Sequence, residues 1–378
     1  MKISPFKVHI SDASLADLKS RIEHTRWPDS SPEDGWSSGT SLVYLQQLAA
    51  YWATTFSWRQ VECHINSYPN FIAEIDGFDI HFIYIKGKSA QSLPMIITHG
   101  WPGSFLEMLT IVPYLIDGDG LTFDLVIPSI PGFGFSGNPG QKGCNSARVA
   151  ELWHQLMSGL GYTRYAVQGG DVGAGIGTCL AMQHPEAVIG LHLNYIPGSY
   201  KPHLPKGDCF TSEEIAFSQT LNEWLTNEGA YSHLHGTKPQ TLAYGLNDSP
   251  VGLAAWILEK NYAWSGHDGY IESVLSKDEL LANITLYWFT QTLPSSIRLY
   301  RENRLQPTLI FREGQYVSTP VAFIRFPKEL PTPPRSYVER GYNIRQWTQA
   351  PTGGHFAAWE QPRILSDDIR QFFKIQVV

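Results

Sequence analysis

The residues best placed to do chemistry in this chain follow short apolar runs. Tyr165-Ala166-Val167 leads into Gly169-Gly170-Asp171-Val172-Gly173, which holds a carboxylate between small residues. That form predicts a sharp strand-to-helix turn lifting residue 171 above the end of a sheet. Small neighbours are required because such a turn is strained and the following helix packs closely. A carboxylate has a reference pKa of about 3.9, so Asp171 is an anion at neutral pH and can attack carbon without help from a base. The competing reading is a Gly-rich turn whose Asp merely caps a helix.

Two further segments favour chemistry. His99-Gly100-Trp101-Pro102 closes the apolar run Met95-Ile96-Ile97, with Trp101 70 residues before Asp171 (171 − 101). Gly353-Gly354-His355-Phe356-Ala357-Ala358 lies near the C-terminus. A lone histidine is usually structural, but one flanked by Gly and small residues after the last expected strand is a general-base candidate. Its carboxylate partner should precede it. Phe326-Pro327-Lys328-Glu329 offers Glu329, 26 residues upstream (355 − 329), and Glu313 is the second choice.

The elements that must position these residues alternate. Met95–Ile97, Leu125–Ile127, Tyr165–Val167, Val188–Leu193, Thr308–Phe311 and Asn343–Thr348 predict strands, the first three each followed by a Gly-rich turn and a segment that can be helical. Alternation of this kind gives a mostly parallel sheet covered on both faces, with the chemistry at the carboxyl ends of the strands. With the hairpin Phe71–Ile75/Phe78–Ile83 around Asp76-Gly77, the count is eight strands. Residues 1–90 form an N-terminal extension of helices (11–22, 41–56) plus that hairpin. Residues 91–195 and 291–378 are the two halves of the core. Residues 196–290 read as helices only, around 212–227, 239–246, 250–262 and 277–291, a block spliced in as a lid. The final helix runs from 361 to 373. Nucleophile, acid, base in that chain order on such a sheet is the α/β-hydrolase arrangement. In that fold the backbone N–H groups of Trp101 and Val172 become the oxyanion donors.

Composition narrows the classes. A net charge of -7 with no long Lys/Arg run argues against nucleic acid as a partner. The N-terminus lacks the apolar core of a signal peptide, and no run approaches the ~18 apolar residues of a membrane span. Cys63, Cys144, Cys179 and Cys209 lack C-x-x-C spacing and read as reduced thiols of a cytoplasmic protein. Gly132-Phe133-Gly134-Phe135-Ser136-Gly137 fits G-x-G-x-x-G, but Asn138-Pro139-Gly140 follows where a helix should open, so it reads as a substrate-side loop rather than a dinucleotide site. His233-x-His235 has no further ligands to complete a metal site. Trp224, Trp256, Trp264, Trp288 and Phe289 are read mostly as packing, with one or two lining the pocket.

Several motifs together carry a resemblance. They are His99-Gly100-Trp101-Pro102-Gly103-Ser104, Gly170-Asp171-Val172-Gly173, Thr237-Lys238-Pro239-Gln240-Thr241, Asp248-Ser249-Pro250 through Glu259-Lys260, and Gly353-Gly354-His355-Phe356-Ala357. In these the chain resembles the microsomal-type epoxide hydrolases, a family with soluble fungal members that carry an N-terminal extension. The resemblance spans nearly the whole chain. It implies an Asp171 nucleophile, a His355/Glu329 pair activating water, and two lid tyrosines that bind the epoxide oxygen. One is Tyr231, six residues before Thr237, where the family's Gly-Tyr is replaced by Ala230-Tyr231. The other is Tyr300, in Arg298-Leu299-Tyr300-Arg301-Glu302-Asn303. Before Phe326-Pro327, the run Ala322-Phe323-Ile324-Arg325 is longer than the family's. The expected substrate is a small apolar epoxide, contacted by Trp101, Tyr231 and Tyr300 and opened with water to a diol. No cofactor or metal is implied, and a homodimer is compatible with the sequence. A haloalkane dehalogenase shares the Asp nucleophile but has no use for paired phenols, and a non-catalytic protein of this fold usually loses a member of the triad.

Overall fold

Nine strands form one sheet in the computed structural model, which describes residues 1–30, 35–89, 91–118 and 120–376. They are β1 (Lys2–Phe6), β2 (Asn70–Ile75), β3 (Phe78–Ile85), β4 (Leu93–Thr98), β5 (Phe123–Pro128), β6 (Tyr165–Gly169), β7 (Val188–Leu193), β8 (Val317–Arg325) and β9 (Tyr342–Gln349). Their order is β1-β2-β3-β5-β4-β6-β7-β8-β9. The first four strands in that order pair antiparallel, and every pairing from β5 onward is parallel. Helices cover both faces of the parallel part, which is why its central strands β4 to β7 are mostly apolar rather than alternating, whereas the edge strand β9 is largely polar. Every residue of β5 and β6 is buried.

The sheet departs from the expected eight strands in two places. The edge strand β1 went unread, because its Pro5 and its exposed Lys2 and Ile3 carry no buried alternation, and such residues are tolerated only at an edge. Thr308–Phe311, expected as a strand, makes only an isolated bridge from Ile310 to Lys201, with Ile310 52% exposed. The buried strand at that place in the order is β8 instead.

The last helix, Pro362–Gln376, shows how the helices dock. It buries Leu365, Ile369, Phe372 and Phe373, spaced along one face, and Phe372 and Phe373 approach Gly190 of β7. Each such side chain contributes about 1.5–3 kcal/mol when fully buried.

Between β7 and β8 the chain is helical. Ser212–Asn227, Ala230–Thr237, Pro239–Leu246, Pro250–Trp264 and Lys277–Thr290 are followed by Leu293–Leu305, one helix beyond residue 290. Capping boxes at Thr211/Glu214 and Ser276/Glu279 set two of the starts. The N-terminal helices Asp12–Glu23 and Leu42–Thr54 lie against this block, together with Trp58–Asn66, which the sequence reading did not include. Trp36 stacks on Tyr262 at 3.9 Å, Thr40 donates to the Ala255 carbonyl at 2.7 Å, and Tyr51 donates to Asp278 at 3.0 Å. Among the described residues, no helix is long and apolar enough to cross a membrane.

Candidate active site

Strand order assembles the site. Thr98, at the end of β4, pairs with Gly169, at the end of β6, so the loops that follow emerge side by side. Asp171 opens the helix Asp171–Gln183 with φ +46°, a left-handed conformation that a non-glycine residue adopts only under local constraint. The constraint is packing. A Cβ at Gly173 would fall 2.1 Å from the Thr98 carbonyl oxygen, and one at Gly100 would fall 2.3 Å from the Asp171 Cβ. No larger residue fits at either position while the two turns stay in contact. The backbone N–H of Trp101 donates to Asp171 Oδ1 at 2.8 Å. Val172, second in its helix, has an N–H with no intrahelical partner.

The opposite side of Asp171 comes from β8 and β9, joined past their ends by a bridge between Lys328 and Gly354. His355 Nε2 lies 3.5 Å from Asp171 Oδ2, and its Nδ1 lies 2.6 Å from Glu329 Oε1. The His355 backbone N–H donates to the Trp264 carbonyl, and the Leu330 N–H donates to Glu329 Oε1 at 2.7 Å. The Glu329 side chain is fully buried, whereas Glu313 stands exposed on a loop. The carboxylate against His355 is that of Glu329.

Over the turn, Tyr231 from the helix Ala230–Thr237 and Tyr300 from Leu293–Leu305 cross at 77° with centroids 6.0 Å apart, each hydroxyl the other's polar neighbour. Trp101 stacks on Tyr231 at 5.4 Å and meets Tyr300 edge-on at 6.0 Å. Asp171, Val172, Tyr195, Tyr231 and Tyr300 share a cavity of about 520 Å³, with Trp224 and Leu221 on its apolar wall.

The comparisons with known proteins give the family and the fold. The epoxide hydrolase N terminus profile matches residues 3–108, and the alpha/beta hydrolase fold profile matches residues 94–205. Epoxide hydrolase 1 of Sus scrofa is 38% identical over 98% of this chain and 88% of its own. A solved Aspergillus niger epoxide hydrolase, an enantioselective mutant, superposes with a TM-score of 0.87 at 32% identity, covering 99% of this chain and 97% of that one. This chain belongs to the epoxide hydrolase family. It is a hydrolase acting on epoxides, built on the α/β-hydrolase fold. The juvenile hormone epoxide hydrolase of Bombyx mori also matches, with a TM-score of 0.86 and 31% identity over 100% of this chain and 94% of that one.

The electrostatics of this epoxide hydrolase divide its groups clearly. Burial, and then the charge of Asp171, hold the Tyr231 phenol well above the ordinary tyrosine range. Burial and the neighbouring Tyr231 do the same for Tyr300. Both therefore stay protonated donors. Burial pushes the His355 imidazole down, yet Glu329 and Asp171 together hold it well above the usual histidine value. His235, which the sequence suggested as half of a weak metal pair, is instead packed between Trp101 and Tyr300 and accepts from Trp256 Nε1 at 3.1 Å. Burial and the Lys260 charge lower it to about 3, so it is a neutral packing partner of those rings.

The loop Gly132–Gly137 is not a wall of the large cavity. It closes on itself through Gly132 N–H to the Gly137 carbonyl and is tied down by Ser295. Sequence reasoning missed Glu107, Gln168, Asn194 and Tyr195 near Asp171. Glu107 left a signal: it is a lone carboxylate inside the apolar run Phe105-Leu106-Glu107-Met108-Leu109, all of it buried.

Proposed function

We propose that this enzyme converts small apolar epoxides to vicinal diols through an ester on Asp171. The observation that carries the reading is a carboxylate and two buried phenols facing one largely apolar cavity. An Asp171 oxygen attacks an epoxide carbon, the C–O bond of the ring breaks, and Tyr231 and Tyr300 donate to the oxygen as it becomes an alkoxide. Trp101, expected to contact the substrate, is not among the residues lining this cavity; its ring instead stacks on Tyr231 and backs that phenol. His355, oriented by Glu329, then takes a proton from water, and the hydroxide adds to the ester carbonyl carbon. The oxyanion is held by the N–H groups of Trp101 and Val172. Its collapse breaks the bond to the diol oxygen, which takes the proton back from His355, while the proton left on the Asp171 carboxyl restores the phenol that protonated the alkoxide, and the diol leaves.

The paired phenols favour this over dehalogenation, which needs N–H donors for a halide. Retention of nucleophile, acid and base argues against a non-catalytic binding protein. In this reading the inserted helices act as a lid clasped by the N-terminal extension, and free thiols, two of them exposed, suit the cytoplasm.

The test is His355→Gln mixed with excess styrene oxide, quenched rapidly and digested. Loss of a general base slows ester hydrolysis by about 10²–10⁴-fold, so a styrene-glycol ester accumulates on the peptide holding Asp171. Diol release at the wild-type rate without adduct would contradict the assignment.

A further inference from the structure

Among the described residues, Asp171 is the one shared by two cavities of very different size. The large one, on the side of the phenols, is described above. The other is about 20 Å³ and lies behind the carboxylate, walled by the backbone around Gly100, Gly103 and Gly170 and by Glu107, Gln168, Asn194 and His355. A site needs roughly 10–15 Å³ to hold one water, with two to four polar partners. This cavity meets both conditions and has no room for an organic ligand.

Its polar groups are set up for a small guest. Gln168 is 1% exposed; its amide N–H donates to Asn194 Oδ1 at 2.9 Å, which fixes the side chain and leaves its own Oε1 buried without a partner. Such an orphan acceptor keeps its desolvation cost unless something donates to it. Glu107 is buried too, and among the described residues no protein group hydrogen-bonds its carboxyl. The His355 imidazole closes the remaining side, 3.5 Å from Asp171 Oδ2.

We infer that the small cavity is the binding site of the hydrolytic water, and that Glu107 and Gln168 hold this water beside His355 on the face of the Asp171 ester turned away from the substrate cavity. This rests on the ester mechanism proposed above. Water enters with one O–H aimed at His355 Nε2. Its oxygen bonds to the Asp171 carbonyl carbon as His355 takes that proton, while Gln168 Oε1 or the Glu107 carboxyl accepts the second O–H. No other reactant is needed. The separation has a physical purpose: a water held behind the carboxylate can reach the ester carbonyl carbon without passing through space filled by the bound product.

The charged and titratable groups around Glu107 fit this role. Burial raises its pKa to about 8, and Asp171, Glu360 and Glu329 add to that, while His355 opposes it. At neutral pH Glu107 is a neutral acid, which orients water without competing with Glu329 for the histidine's proton.

The experiment separates the two half-reactions. Stopped-flow tryptophan fluorescence and rapid quench with styrene oxide give the rates of ester formation and ester hydrolysis for wild type, Glu107→Leu, Glu107→Gln and Gln168→Met. Both Glu107→Leu and Gln168→Met are expected to form ester within about 3-fold of the wild-type rate and to hydrolyse it at least 10-fold more slowly, so that the ester accumulates. Glu107→Gln, which keeps a carbonyl acceptor and a donor, recovers most of the hydrolysis rate. Gln168→Met decides the matter should Glu107→Leu not fold. Unchanged hydrolysis, or equal losses in both steps, overturns the inference. Absence of any ester in the wild type would instead overturn the mechanism beneath it.

Discussion

His355 Nε2 lies 3.5 Å from Asp171 Oδ2, so in the proposed mechanism the base of the second step sits against the nucleophile of the first. Burial favours neutral imidazole, but the facing carboxylates of Glu329 and Asp171 outweigh it. The proposed esterification of Asp171 would remove one of those charges. The imidazole pKa then falls, and a base becomes available once there is an ester to hydrolyse.

Asp171→Asn imitates that loss of charge. The raised His355 pKa of the free enzyme should drop in the variant, because the asparagine amide no longer stabilises the imidazolium. NMR titration of the His355 ring protons measures it. An unchanged value would mean that Asp171 does not act on His355 in solution.

The phenols make a separate prediction. Tyr231→Phe and Tyr300→Phe combined should slow ester formation by at least about 10³-fold, since two donors to the leaving oxygen are lost, while the melting temperature changes little. Rapid mixing with styrene oxide tests this. Retained ring opening would assign the acid role elsewhere.

Glu329 and Glu313 can be told apart directly. Glu329→Gln should slow ester hydrolysis by about 10²-fold and move its rise with pH to lower pH, because the carboxylate that raises the imidazole pKa is gone. Glu313→Gln, on an exposed loop, should leave both unchanged. Pre-steady-state rates between pH 5 and pH 9 distinguish them, and the reverse pattern would exchange the roles.

Much of this site was legible because its chemistry demands particular local sequence. The elbow needs small residues where Gly173 meets the Thr98 carbonyl, and a glycine at position 100 is what lets the early loop reach Asp171. Those requirements are printed in consecutive residues. Contacts made across the fold left weaker traces. Gln168 and Asn194 hydrogen-bond across 26 positions, and nothing local marks either. The helix Ala230–Thr237, which carries Tyr231, follows Gly229 without a side-chain cap and is only eight residues long, so only the family resemblance pointed to its tyrosine. The apolar run Thr308–Phe311 promised a strand, yet Ile310 faces outward. β8, interrupted by Pro320 near its start, took its place beside β7.

The account depends most on carbon bonding to Asp171 before water enters, and a single turnover in ¹⁸O-water tests that directly. With enzyme in excess over styrene oxide, the label should appear in the Asp171 carboxylate and be absent from the first-formed diol, which carries off an original Asp171 oxygen. Label in the diol with none in Asp171 would show that water attacks the epoxide itself, and would contradict the mechanism at its first step.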